Sequence, residues 1–157
     1  MTAPGPVPAR RAVLLFTRPP LVEARLKRLG HMSGLFAHVQ DRVVAAAAGV
    51  RDADLIVVGH PGAARLPAAA RRLPQRGRDL GERFVRAFED VHALGYEQIV
   101  AIGSDSPRLG ASNLHQAFEA LGTGAQLVLG PAGDGGVYLL GLSGTIPAAL
   151  RDVPWGT

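Results

Sequence analysis

The fold is decided by a stretch near the middle of the chain, Gln98-Ile-Val-Ala-Ile-Gly-Ser-Asp-Ser-Pro107. Its first half is a short apolar run rich in Ile and Val, which is typical of a strand covered by helices on both faces. Its second half predicts a loop directly after that strand, with Pro107 restricting Ser106 to an extended conformation. In open α/β sheets, ligands bind beyond the carboxyl ends of the strands. The stretch therefore predicts both a class of fold and the edge at which a ligand would bind.

Outward from this stretch, strands and helices alternate along the sequence. Further apolar runs predict strands at residues 12–16, 54–58, 126–129 and 137–142. Apolar residues at helical spacing predict three helices: one from Ser33 to about Ala48, one from Asp79 to Gly95, and one from a cap at Ser112 or Asn113 to Leu121, with Gly122 just beyond its end. Residues 61–78 are predicted to form a loop. The alternation predicts an α/β sheet with right-handed crossovers.

Length and composition restrict the class of protein. A chain of 157 residues favours one domain, predicted at residues 12–157, after a proline-rich, disordered tail at residues 1–11. The absence of cysteine excludes disulfides, zinc–thiolate sites and thiol nucleophiles. No apolar run approaches the roughly 20 residues that a membrane helix requires, so we predict a cytoplasmic protein with no membrane partner.

The net charge of +4 raises the question of nucleic-acid binding. The chain has only one Trp, two Tyr and five Phe, so side chains on which bases could stack are scarce. A basic, solvated surface explains the charge without a partner. We therefore predict that no nucleic acid is bound.

Two aspartates are the best candidates for chemistry at the predicted ligand edge. Asp105 follows a buried strand, where a carboxylate can bind Mg²⁺ or Mn²⁺ together with substrate phosphates, or can cap the next turn. Asp134 lies in an Asp-Gly pair between two apolar runs, which is a strong signal for a hairpin turn. In the alternative interpretation, Asp134 is a second carboxylate at the same edge, acting as a metal ligand or as a base toward an acceptor hydroxyl. Gly135 and Gly136 would then allow a ligand to approach the backbone closely.

Basic residues after the first strand are the candidates for binding phosphate. The cations that follow the first strand, where a cation can contact a diphosphate, are Arg18, Arg25, Lys27 and Arg28, although a solvated basic surface is the alternative. Neither a Walker sequence nor G-x-G-x-x-G occurs, so neither of these phosphate loops can form. Ser104 and Ser106 lack the context of a nucleophile elbow, which argues against a serine hydrolase.

Three blocks of sequence occur in a particular order and spacing: Gln75-Arg-Gly-Arg-Asp-Leu-Gly-Glu-Arg83, Ile102-Gly-Ser-Asp-Ser-Pro-Arg-Leu109 and Leu129-Gly-Pro-Ala-Gly-Asp-Gly-Gly-Val-Tyr-Leu-Leu-Gly-Leu142. From about Ala12 to the end, the sequence resembles the DUF2064 family, which is related to the guanylyltransferases of molybdenum-cofactor and F420 biosynthesis. The resemblance implies a Rossmann-like GT-A fold, the fold of nucleotide-diphospho-sugar transferases. This fold is a three-layer α/β sandwich with a mostly parallel central sheet.

The resemblance also implies a metal-dependent transferase with a nucleotide-diphosphate donor and an acceptor that the sequence does not identify. It implies that Asp105 holds Mg²⁺ or Mn²⁺ and that Asp134 faces the same cleft, where it joins the metal or orients the acceptor. The residues predicted to bind the nucleotide and its phosphates are Arg18, Arg25, Ser104, Gly135 and Gly136. Glycosyl transfer from a nucleotide sugar is favoured, and nucleotidyl (guanylyl) transfer from a nucleoside triphosphate is the alternative. A third interpretation is a catalytically degenerate module that binds a nucleotide or a protein partner.

The sequence departs from the family pattern at three places. In Pro20-Leu-Val-Glu-Ala-Arg-Leu26 the usual glycine is missing, and Glu23 stands where a lysine is expected, so a carboxylate would repel the donor diphosphate. Gly133 replaces the usual acidic neighbour of Asp134. The chain is also shortened at its C-terminus relative to the family, which is predicted to expose a sheet edge that a second copy of the chain could cover.

Overall fold

The computed structural model describes residues 5, 7–18, 20–59 and 66–155, apart from the side chains of residues 20, 21 and 23. The strands are β1 (Arg11–Thr17), β2 (Asp54–Gly59), β3 (Arg71–Leu73), β4 (Gln98–Gly103), β5 (Leu127–Pro131) and β6 (Val137–Ser143). The helices are α1 (Pro20–Leu26), α2 (Ser33–Ala48), α3 (Leu80–Ala93), α4 (Ala111–Gly122) and α5 (Ala148–Arg151), with a 3₁₀ turn at Gly30–Met32 before α2. In the described part of the chain, no helix is both long and apolar enough to span a membrane.

The six strands form one sheet in the order β3-β2-β1-β4-β6-β5. Strands β3, β2, β1 and β4 run parallel to one another, whereas β6 is antiparallel to both β4 and β5. The predicted mixed α/β fold with a mostly parallel central sheet is therefore confirmed. Because β6 runs against β4, the start of β6 lies beside the carboxyl end of β4, with Ile102 opposite Leu139.

The two faces of the sheet carry separate cores. Along β1, Val13 and Leu15 pack on one face with α2 and α4, whereas Ala12 and Leu14 pack on the other face with α3. All four of these residues have 0% exposed surface. A strand buried on both faces requires an unbroken apolar run rather than an alternating pattern, which is the pattern that β1 shows.

The predicted start of α3 is confirmed. Asp79 has an extended backbone and its Oδ1 accepts a hydrogen bond from the backbone N–H of Glu82 at 2.8 Å. Glu82 Oε2 in turn accepts from the backbone N–H of Arg78 at 3.0 Å, one residue before the expected partner. The Arg86 guanidinium adds an ion pair 2.7 Å from Glu82 Oε1.

These contacts make α3 sensitive to acid. The backbone N–H of Arg78, followed by the side chains of Arg86 and Arg78, lowers the pKa of Glu82 from 4.5 to about 2. Because the folded-state pKa is depressed, the stabilisation is present above pH 4.5 and is lost as pH falls toward 2. We expect Glu82→Gln to flatten the decline of the urea midpoint across this interval, while Glu119→Gln on α4 retains it. An unchanged decline in Glu82→Gln would contradict this account.

Four predictions about local structure are corrected. The predicted loop at residues 61–78 contains β3, a three-residue edge strand whose Arg71 and Arg72 are exposed. Its hydrogen bonds come from pairing with β2, which no local pattern reveals. Residues 61–65 of that loop lie outside the described part. Helix α1 was not predicted at all, because Pro20 begins it directly after the first strand.

The third correction concerns the two ends of α4, and the fourth concerns the start of α2. The cap of α4 is Gly110 rather than Ser112 or Asn113, and Asn113 Oδ1 accepts from the Gly110 N–H at 2.9 Å. Gly122 is the last residue of α4 instead of following it, and Gly124, with φ +110°, provides the left-handed conformation. Ser33 is the first residue of α2 rather than its cap. In each case the predicted element exists and its terminus is displaced by one to three residues.

Candidate functional site

A cleft of about 590 Å³ opens at the carboxyl edge of the sheet, between the end of β4 and the turn that joins β5 to β6. It is lined by Lys27, by residues 103 and 105–109, by Asn113, and by residues 131–134 and 136–138. This is the edge at which the strand pattern predicted a ligand site. The cleft brings together the two predicted aspartates, Asp105 and Asp134, from different parts of the sequence.

Asp105 is held at the mouth of the cleft by the loop that follows β4. Leu109 anchors this loop, because its side chain is only 6% exposed and its N–H donates to the Ser106 carbonyl oxygen at 3.2 Å. A Cβ at Gly103 would lie 3.0 Å from Asp105 Oδ1, so a glycine there gives the carboxylate room beside the backbone. The Asp105 side chain is 43% exposed and can therefore reach a ligand.

Lys27 is the charged partner of Asp105. The Lys27 ammonium donates to Asp105 Oδ2 at 2.9 Å, and the Lys27 side chain is 42% exposed. The ammonium also lies 5.6 Å from the centre of the Phe36 ring. Lys27 follows α1, so the segment after the first strand does supply a cation to the cleft. The side chain of Glu23 lies outside the described residues, and its predicted repulsion of the diphosphate stays a prediction.

Asp134 lies in the turn between β5 and β6, as its Asp-Gly pair predicted. Its Oδ1 accepts from the Gly136 N–H at 3.0 Å, and the Ala132 N–H donates to the Gly136 carbonyl oxygen at 2.8 Å. Gly135 adopts φ +88°, a left-handed conformation that glycine tolerates. The turn interpretation therefore holds, but it does not exclude the other, because an exposed carboxylate retains acceptor positions for a ligand in the cleft.

Asp105 also lines a second hollow, of about 230 Å³, beside the end of β1. It is lined by Phe16, Thr17, Arg18, Gln75, Leu80 and residues 103–105. Arg18 and Ser104, both predicted to bind the donor, meet here. The Thr17 hydroxyl oxygen is buried and has no hydrogen-bond partner among the residues that the structure describes.

The remaining predicted phosphate-binding residues are less central. Arg25 is exposed near the end of α1 and does not line either of these two cavities. Gly136 lines the cleft, whereas Gly135 shapes the turn without lining it. For all five predicted residues, contact with a donor stays a prediction.

The cleft fits a divalent cation only if a bound substrate supplies some of the ligands. In the described part of the chain, no group of three His, Asp or Glu side chains could hold a metal by itself. Mg²⁺ is commonly bound by one or two carboxylates plus substrate phosphates, with water completing its octahedral shell. Asp105 and Asp134 supply two carboxylates of this kind to one cleft, so the side chains present suit that mode of binding.

Solved structures resemble this chain over nearly its whole length. The crystal structure of a protein from Desulfovibrio desulfuricans G20, provisionally described as a nucleotide-diphospho-sugar transferase, is 29% identical. The match covers 94% of this chain and 70% of that one, with a TM-score of 0.77. The crystal structure of Rv0371c from Mycobacterium tuberculosis H37Rv is 16% identical over 94% of this chain and 78% of that one, with a TM-score of 0.58, and shows the fold alone.

The sheet order and these likenesses define the class: an α/β protein with the fold of nucleotide-diphospho-sugar transferases. Within that class, the chain belongs to the DUF2064 family, described as uncharacterised proteins conserved in bacteria, whose sequence profile matches residues 34–157. No curated protein matches the sequence. The profile match begins after β1 and α1, so it excludes the stretch in which the first loop departs from the family pattern.

Several residues of the cleft were not identified from the sequence as site residues. Lys27 had been considered only as one of several cations after the first strand, and its contact with Asp105 spans 78 positions of sequence. Tyr138 lies in β6, where its alternation with apolar residues indicates only a strand. Asn113 lines the cleft without any motif that marks it as a site residue. For Arg108 a signal was available, because it belongs to the same block, Ile102 to Leu109, as Asp105.

Proposed function

We propose that this protein is a metal-dependent transferase that binds a nucleotide-diphosphate donor at Asp105 and transfers a glycosyl group from it to an acceptor hydroxyl. The observation that carries the proposal is the half-exposed Asp105 carboxylate at the end of β4, in a cleft that also contains Asp134. The likeness to the protein provisionally described as a nucleotide-diphospho-sugar transferase supports the choice of donor.

The proposed transfer forms one bond and breaks one. The acceptor hydroxyl oxygen forms a bond with the anomeric carbon of the donor, and the bond from that carbon to the diphosphate oxygen breaks. The electron pair of the broken bond leaves with the nucleoside diphosphate. The hydroxyl proton passes to a carboxylate, for which Asp134 is the candidate because it lies in the same cleft and is exposed to it.

Asp105 and Lys27 have different roles in the proposed binding of the donor. Asp105, together with the donor phosphates, would hold Mg²⁺ or Mn²⁺, and a bound divalent ion neutralises charge that develops on a leaving diphosphate. The Lys27 ammonium lies beside Asp105 and is a compact cation suited to phosphate oxygens. Arg18 lines the hollow beside the end of β1 together with Asp105 and contributes a further positive charge near this carboxylate. Positive charge near Asp105 supports the proposal that a diphosphate binds there.

The proposal is tested by calorimetric titration of the wild-type protein with UDP-glucose and with GTP, each with and without Mn²⁺. Metal-dependent binding of UDP-glucose, followed by release of UDP when an acceptor is added, is the expected result. Binding of GTP with release of pyrophosphate would replace glycosyl transfer by nucleotidyl transfer. An absence of binding by either nucleotide would leave a degenerate module as the surviving interpretation.

The pairing of Lys27 with Asp105 makes a separate prediction about metal binding. An exposed ion pair of this kind contributes roughly 0.2–1 kcal/mol, so removing the ammonium should tighten binding of Mn²⁺ alone by up to about fivefold. We expect Lys27→Gln to show this gain in a Mn²⁺ titration and to lose affinity for the donor. Arg42→Gln, which removes an exposed charge on α2, serves as the matched control. Equal Mn²⁺ affinities in both variants would argue against Asp105 as the ligand.

A further inference from the structure

An apolar pocket of about 190 Å³ adjoins the cleft on the α3 side of the sheet. Its walls are Phe16, Leu80, Phe84, Val137, Tyr138 and Trp155, and its floor is the end of β4 with the facing part of β6. Gly103, Val137 and Tyr138 line both the cleft and this pocket, so the two spaces share part of their lining. The pocket therefore lies directly beside the space in which the donor is proposed to bind.

The pocket differs from the cleft in its chemistry. Among the described residues, none that lines the pocket is charged, whereas the cleft contains Lys27, Asp105, Arg108 and Asp134. The indole N–H of Trp155 already donates to the Leu150 carbonyl oxygen at 3.1 Å, so the indole presents carbon atoms to the pocket. The part of a ligand that enters this pocket must accordingly be uncharged and largely apolar.

The walls of the pocket are built of packed rings. The Phe84 ring lies 5.7 Å from that of Phe16 and 4.7 Å from that of Trp155, measured between centroids. Trp155 packs against α3 at Gly81, where a Cβ would approach its Cδ1 to 2.9 Å, so the glycine provides the space for the indole. Leu80 and Val137 remain 38% and 43% exposed at the mouth. Such apolar exposure beside a polar cleft marks a place where burial by a ligand is favourable.

The size of the pocket suits one ring. A cavity of about 150 Å³ lined by apolar side chains holds a benzene molecule, and this pocket is slightly larger. We propose that the pocket binds the aromatic or cyclic apolar group of the acceptor and so selects acceptors that carry such a group in addition to the reacting hydroxyl. The inference rests on the proposed function because the ligand is an acceptor only if the protein is a transferase. Binding of the ring can nevertheless be measured without any donor.

Trp155 is the only tryptophan in the sequence, so its fluorescence reports directly on the pocket. The probes are phenyl β-D-glucoside and methyl β-D-glucoside, which share the sugar and differ in the ring, titrated without donor or metal. We expect the phenyl compound to change Trp155 emission and to bind roughly tenfold or more tightly than the methyl compound. The free energy gained by burying an apolar ring corresponds to at least that factor in affinity. Equal binding of the two compounds would overturn the proposal.

Two variants and a control locate the binding. Val137→Asp places a carboxylate at the mouth of the pocket and should weaken the phenyl compound about tenfold, because a charge would have to be desolvated. Gly81→Ala should displace Trp155 while leaving the helix intact. Leu127→Asp, at a similarly exposed apolar residue on β5 that lines none of the cavities described above, should change nothing. Unaltered binding of the phenyl compound in both pocket variants would overturn the proposal. A wild-type protein that is a dimer in light scattering and binds neither compound would also overturn it.

Whether the bound compound acts as an acceptor is measured separately, by the rate of UDP release. With UDP-glucose and Mn²⁺ present, the phenyl compound should accelerate UDP release more than the methyl compound does, and Val137→Asp should raise the acceptor KM more than it lowers kcat. Donor binding without this difference would overturn the acceptor role. If no donor binds at all, the fluorescence result still decides whether the pocket takes a ring, so failure of the proposed function and failure of this inference remain distinguishable.

Discussion

Asp105→Asn is expected to reduce metal-dependent binding and turnover of the donor by at least about 100-fold, the range found when one charge-stabilising group is removed from an active site. Asparagine keeps the shape of the side chain and removes its charge. The carboxylate is half-exposed and its ion pair with Lys27 is at the surface, so the free energy of unfolding should change by less than about 1 kcal/mol. The measurement is calorimetric titration with UDP-glucose and Mn²⁺, with a urea unfolding curve on the same sample.

The control for this variant is Asp41→Asn, which removes an exposed carboxylate from α2. It should bind the donor as the wild type does. Donor binding that survives in Asp105→Asn would mean that the cleft does not use this carboxylate. The aspartate would then serve only to hold Lys27 and the loop after β4.

Phe118→Ala is expected to have the largest effect on stability, about 3–5 kcal/mol, which is the usual cost of removing a buried aromatic ring. Phe118 lies on α4, is 1% exposed and belongs to the core that α2 and α4 share with the sheet. The Arg11 guanidinium also lies 5.4 Å from the centre of its ring, so the substitution removes that contact as well.

The measurement for Phe118→Ala is the urea midpoint, monitored by circular dichroism. Leu35→Ala, at a residue of α2 that is 50% exposed, should change the free energy of unfolding by no more than about 0.5 kcal/mol and serves as the control. A change below about 1 kcal/mol at Phe118 would contradict the assignment of this residue to the core.

Part of the candidate site was predictable because its signals are local. Asp105 stands directly after an apolar run that forms β4, and Asp134 stands in an Asp-Gly turn between β5 and β6. Parallel strands place their carboxyl ends at one edge, so proximity to a single cleft followed from the strand pattern. Lys27 was different: which of several nearby cations contacts Asp105 depends on where α1 directs the chain.

The sequence by itself determined the class of fold, the buried strands and the cap at Asp79, because each depends on neighbouring residues and on periodic burial. Only the tertiary structure decided that β3 joins the sheet, that Lys27 pairs with Asp105, and that Trp155 closes an apolar pocket against Phe84. Each of these three features is a contact between residues distant in sequence. Such contacts form only when the packed sheet brings separate segments together, so no local pattern could encode them.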